Sequence, residues 1–270
     1  MRQLVRWLVV TLVAGFGACA ICTGSQAGAL AQDPLDGLPA PGEPWDLVYL
    51  TNSQGWGVPE LYARHAEEAL GVNVRVHDLT IANLNAAQIL DYLDLSMFAD
   101  QVADAEIVVV FGDPERSGVE LPFPDVRSCW STVANALRPP ATSSAADWAP
   151  YREMLGRVFE RVWELREERP TVVRTADMFV PMIDAWDQAG VLEECRREWE
   201  MMSDQVRVAA EAHGWRMVSI FDALNGPHHD RDLVERGWVH ADSEHLNAEG
   251  AARLAEALAA VGFEPLTPPD

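Results

Sequence analysis

A chain of 270 residues that is 49% hydrophobic has enough apolar material for one sizeable core, and one folded domain is expected. Its formal charge of −22 repels phosphate backbones and anionic lipid headgroups, which argues against nucleic acid as a partner. All 20 basic residues are arginine.

The N-terminal stretch reads as a secretory signal over residues 1–31. Arg2 and Arg6 precede an apolar run, and small residues follow, ending in Ala29-Leu30-Ala31 before Gln32. Two other readings stay open: an uncleaved anchor, and a lipid attached at Cys19. Cleavage removes two arginines and no acid, so the remaining chain is more acidic still. No later segment is apolar for long enough to span a bilayer, so no stable membrane insertion is expected after cleavage. The expected location is extracellular, periplasmic or cell-surface. Residues 32–44, rich in proline and glycine, read as a linker.

A single domain is expected over 45–265. "WDLVYLT" (45–51) is a buried strand, and "GVPELYARHAEEALG" (57–71) has helical apolar spacing closed by Gly71. "VNVRVHD" (72–78) is a second strand. Residues 85–103 form one helix with Ile89, Leu90, Leu93 and Phe98 inward. "AEIVVVFG" (105–112) is a continuous apolar run, as a strand covered on both faces requires. Residues 113–146 are irregular, with a short helix near Cys129. A long amphipathic helix (147–169), a strand running into a loop (170–180), a helix (191–214), a strand (215–221) and a closing helix (247–262) follow. This alternation predicts an α/β fold: a doubly wound sheet of about five parallel strands between helical layers. Ligands bind such sheets at the carboxyl ends of the strands, where Ser53, Asp78 and Gly112 fall.

Cys129 and Cys195 remain after signal cleavage. A disulfide between them is favoured in an oxidising compartment, with two buried thiols as the alternative.

"YLTNSQGWGV" (49–58) places Ser53 after the first strand. There it is either the cap of the next helix or a nucleophile. "HADSEHLNAEG" (240–250) places Asp242 three residues before His245, just ahead of a helix. That spacing lets the carboxylate orient the imidazole that a serine nucleophile needs as its base. The bland alternative is that Asp242 caps the last helix and His245 lies idle on the surface.

With these blocks the chain resembles the SGNH, or GDSL-like, hydrolases. The matching residues are Ser53 in "LTNSQGWG", Gly112 in "VVVFGDPERSG", and Asp242 with His245 in "DSEHLNAEG". The resemblance implies a flavodoxin-like three-layer α/β/α fold and hydrolysis of an ester through an acyl-serine, with Ser53, His245 and Asp242 as the triad and no cofactor. The substrate class it implies is an acyl lipid, an acetylated glycan or a small ester. It also implies an oxyanion hole from the Ser53 N–H, an N–H of the second block and an amide side chain in the third. The chain departs from the family in three places. Thr51-Asn52 replaces the usual Gly-Asp before the serine. Ala82 or Asn83 stands where the second block has glycine. Asp113, adjacent to Gly112, stands where the amide donor is expected, leaving Asn83 or Asn85 as substitutes. The departures leave a second function open, a degenerate module that binds a glycan or acyl group.

"GPHHDRD" (226–232), with His228, His229, Asp230 and Asp232, forms a further cluster with His240, Asp242 and His245, but adjacent histidines do not readily face one ion and there is no HExxH, so the loop histidines are expected to line the mouth of the pocket. No metal is expected. Trp56, three residues from Ser53, is the expected substrate platform.

Overall fold

The computed structural model describes residues 38–40, 42–114, 129, 144–167 and 169–266. The expected signal, Cys19 and most of 113–146 lie outside the described residues.

Five strands form one parallel sheet: β1 (Trp45–Thr51), β2 (Val74–Asp78), β3 (Ile107–Phe111), β4 (Val172–Ala176) and β5 (Arg216–Val218). Their order is β2-β1-β3-β4-β5, the flavodoxin-like order. The chain moves outward from β1 to β2 and then crosses back over β1 to β3, so the strand order switches between β1 and β3.

Helices cover both faces. They are α1 (Pro59–Leu70), α2 (Ala86–Leu93), α3 (Ser96–Asp104), α4 (Ala149–Arg166), α5 (Ile183–Ala189), α6 (Leu192–Ala212), α7 (Ile220–Asn225) and α8 (Ala248–Ala260). Side chains of a strand alternate between faces, and the core divides accordingly. Leu47, Tyr49, Val109 and Phe111 pack with α1 and α8, through residues such as Tyr62 and Leu254. Val48, Leu50, Val108 and Val110 pack with the other layer, through Ile89, Phe159 and Trp199. Burial of both faces is why β1 and β3 are apolar without interruption. The architecture is the three-layer α/β/α arrangement expected above.

Local differences have physical causes. The helix expected over 85–103 is two, because the chain turns extended at Leu95 (ψ 127°) before α3. Turning there lets both Leu93 and Val102 reach the core, whereas Phe98 is only partly buried, against Tyr92. The strand expected over 215–221 ends at Val218, because the Ser219 side chain accepts from the Asp222 N–H and starts α7. Helix α5 falls in a stretch the sequence pattern left unassigned. Cys129 and Cys195 are bonded, with Cα atoms 5.4 Å apart, and join residue 129 to α6.

Candidate active site

The carboxyl end of β1 enters a single 3-10 turn, Ser53–Gly55. Asn52, not Ser53, caps it: Asn52 Oδ1 accepts from the Gln54 N–H at 3.1 Å. The capping alternative for Ser53 is thereby removed, and Ser53 lines a cavity. Three contacts pin the turn. Asn52 Nδ2 donates to Asp113 Oδ1 at 2.9 Å, and Gln54 Nε2 donates to the Phe179 carbonyl at 3.3 Å. Gly55 is required by close approach, since a Cβ there would lie 2.3 Å from Thr51 Oγ1 and 2.7 Å from the Tyr49 ring.

The loop after β2 runs on beside β1, with Ile81 N–H donating to the Thr51 carbonyl at 2.9 Å. Asn83 adopts a left-handed conformation (φ 56°) and lines the cavity. Ala82 is not among the cavity's lining residues. Asn85, the other suggested donor, is not among the lining residues; it is the buried cap of α2, its Oδ1 accepting from the Gln88 N–H and its own N–H donating to Gln88 Oε1. After β3, the Asp113 N–H is already given to the Leu84 carbonyl at 2.8 Å. Asp113 lines the cavity; Gly112 is not among the lining residues, and its carbonyl accepts from the Tyr151 hydroxyl at 3.1 Å.

The Asp242–His245 turn closes the site. It is held by the Val239–Leu246 bridge and by the His240 N–H on the His245 carbonyl at 2.8 Å. Asp242 Oδ1 accepts from the backbone N–H groups of Glu244 (3.0 Å) and His245 (3.1 Å), and Asp242 Oδ2 lies 2.8 Å from His245 Nδ1. The Glu244 N–H, then the His245 ring and N–H, hold the Asp242 carboxyl well below the usual carboxylate range. The cap of α8 is Asn247, which accepts from the N–H groups of Glu249 and Gly250, so Asp242 is not spent on capping.

Ser53 and His245 line one cavity with Asn52, Gln54, Asn83, Asp113 and Glu244, and Met178 with Trp199 supplies an apolar wall. Neither His228, His229 nor His240 is among the lining residues, contrary to expectation. His229 instead lies between Glu200 (3.1 Å) and Asp222 (2.7 Å), stacked on Phe221. Asp232 accepts from the Asp184 N–H at the start of α5. Among the described residues no group of three or more His, Cys, Asp or Glu is placed to hold a metal ion. Trp56 is likewise not among the lining residues; its ring stacks on His245 with centroids 4.5 Å apart and planes at 28°.

Asn52 and Gln54 were missed as site-building residues. An Asn directly before a three-residue turn is a capping signal that identifies the first of them. The tie from Asn52 to Asp113 spans 61 positions and leaves no local trace.

No family model and no curated protein matches the chain. Solved structures do. A lipase from a goat rumen metagenome is 14% identical, with a TM-score of 0.60 over 82% of this chain and 99% of that one. A lipase/acylhydrolase from Enterococcus faecalis is 15% identical, with a TM-score of 0.52 over 84% and 99%. Axe2, an acetylxylan esterase from Geobacillus stearothermophilus, is 14% identical, with a TM-score of 0.53 over 83% and 96%. At these identities the likeness is one of fold: the chain has the SGNH-like hydrolase fold.

Proposed function

We propose that this SGNH-fold protein is a secreted serine hydrolase of carboxylic esters. The observation that carries the reading is the 2.8 Å contact between Asp242 and His245 Nδ1, on a ring that shares a cavity with Ser53. His245 Nε2 takes the Ser53 hydroxyl proton as Oγ attacks the ester carbonyl carbon. The tetrahedral adduct collapses, the C–O bond to the alcohol breaks, and the alcohol leaves with that proton. Water, deprotonated by the same ring, then attacks the acyl-serine and frees the acid and Ser53. Asp242 fixes the tautomer and stabilises the imidazolium. No hydrogen bond joins Ser53 to His245 among the described residues, and such contacts commonly tighten only when substrate seats. The N–H groups of Ser53 and Asn83 are assigned to the oxyanion, each donor contributing on the order of 3 kcal/mol. Trp56 is not retained as a substrate platform. The neighbouring folds belong to lipases and an acetylxylan esterase, so acyl lipids, acetylated glycans and small esters are the candidate substrates.

The test offers the purified protein p-nitrophenyl acetate and a fluorophosphonate. Turnover and labelling, both lost in Ser53→Ala, are the expected result. A second reading, a degenerate module that binds a glycan or acyl group, is favoured by Asp113, whose carboxylate lines the cavity where a donor is wanted. Folded protein that neither turns over nor labels selects that reading.

Secretion and the layout of the chain belong to the same proposal: signal 1–31, linker 32–44 and one domain over 45–265. The Cys129–Cys195 bond fits an oxidising compartment. No described helix is long and apolar enough to cross a membrane. Intact mass of the exported protein checks cleavage after Ala31.

A further inference from the structure

Trp56 is the one described tryptophan with substantial exposure, at 41%, so burial in the core does not explain its place. What it does touch is the base. Its indole lies across the His245 ring at a centroid distance of 4.5 Å and an interplanar angle of 28°. The residue comes from the same turn as Ser53. It is the C-cap of the 3-10 turn, and its N–H donates to the Ser53 carbonyl at 3.2 Å. That turn is fixed by Asn52 on Asp113, by Gln54 on the Phe179 carbonyl and by the close packing of Gly55. Nucleophile and indole therefore move as one piece.

We propose that Trp56 is a positioning residue for the base, acting through His245 and not through the substrate; this rests on the hydrolase reading above. The single hydrogen bond that the His245 ring donates from Nδ1 to Asp242 holds it at one nitrogen and acts as a hinge. A flat ring against the face of the imidazole removes the swing about that hinge and aims Nε2 at the cavity that Ser53 lines. When the ring takes the serine proton, its positive charge sits over an aromatic face, which favours the charged form. The other charged or polar groups around His245 are Asp242 at Nδ1, Glu244 beside it in the chain, and Ser53, Asn83 and Asp113 on the shared cavity.

The test compares wild type, Trp56→Phe and Trp56→Leu by kcat and KM on p-nitrophenyl acetate and by the rate of fluorophosphonate labelling. Labelling reports activation of Ser53 with little demand on substrate contacts. Trp56→Leu is expected to lower both kcat and the labelling rate about tenfold, with KM within about twofold. Trp56→Phe, which keeps an aromatic face, is expected to recover most of both. A Trp56→Leu protein that labels at the wild-type rate, whether or not KM rises, overturns the proposal and leaves the hydrolase reading standing. Wild-type protein that is folded and never labels at Ser53 overturns the hydrolase reading, and this proposal with it.

Discussion

At the scale of single residues, two carboxylates have opposite parts. Asp242 is held ionised by two backbone donors and the imidazole. Asp242→Asn keeps an acceptor for the backbone but turns an amide donor toward His245 Nδ1, which forces the proton onto Nε2. We expect kcat/KM to fall by ~10³–10⁴ at every pH, with the fold intact by circular dichroism. Asp113 accepts from Asn52 and lines the cavity beside Ser53. Asp113→Asn preserves an oxygen for Asn52 and replaces negative charge near the oxyanion with a donor. The expected outcome is kcat raised about tenfold with KM little changed, read by steady-state kinetics. The Asp242–His245 pair was legible in the sequence because both partners lie in one turn. The Asn52–Asp113 tie was not, because it exists only once β1 and β3 are neighbours.

At the scale of elements, Asn247 and the disulfide decide how the site's supports hold. Asn247 caps α8 and also donates to the carbonyls of Gly237 and Val239, so it fastens the helix to the Asp242–His245 turn. Asn247→Ala is expected to lower stability by about 1–2 kcal/mol and to lower activity more than that loss of fold explains. Urea melts set beside kcat/KM check both. Gly250 backs the same junction, where a Cβ would meet the Trp238 carbonyl at 2.2 Å. The Cys129–Cys195 bond closes a loop of 66 positions, and the chain-entropy relation gives about 4 kcal/mol for such a loop. The Cys129→Ser, Cys195→Ser protein is expected to lose about 4 kcal/mol of unfolding free energy, read by urea melts. Element types followed from apolar period and length, yet two boundaries did not. The break at Leu95 carries no proline or glycine to announce it, and Ser219 lies inside an apolar run that continues as a helix.

At the scale of the whole molecule, pH acts through a buried acid. Asp177 follows β4, is 1% exposed, and accepts from Ser203, Ser219 and the N–H groups of Ile220 and Phe221. Burial nevertheless pushes its carboxyl up to about 6. An unfolded Asp titrates near ~3.9, so between those values the folded chain holds a proton that the unfolded chain has lost. Stability therefore falls as pH rises from about 4 to about 6, by on the order of 3 kcal/mol. Glu106, raised by burial, has the same sign. The depressed Asp242 has the opposite one, its contribution being lost only in stronger acid. Denaturation midpoints are expected to be higher at pH 5 than at pH 7, and Asp177→Asn to flatten the difference. The formal charge of −22 adds self-repulsion at pH 7, so added salt is expected to recover part of the loss. The parallel α/β class was readable from the alternation of elements. The placing of β2 outside β1 was implied only by the resemblance to a flavodoxin-like fold, because an apolar pattern marks a strand as covered without naming its neighbours.

The stack of Trp56 on His245 also has an optical consequence. Trp45, Trp148, Trp186, Trp199, Trp215 and Trp238 are buried, so a collisional quencher such as acrylamide reaches the Trp56 indole ahead of them. Trp163 is only partly buried, so the share of the early-quenched emission that belongs to the ring against the proposed base is the share that Trp56→Phe removes. Phosphonylation of Ser53 by a fluorophosphonate, with loss of fluoride, three residues away on the same turn, is expected to change both its intensity and its accessibility. The chain thus carries its own fluorescent reporter of the site, and Trp56→Phe is expected to reduce both the early-quenched emission and its response to labelling, with Trp163 and the cavity-lining Trp199 supplying what remains.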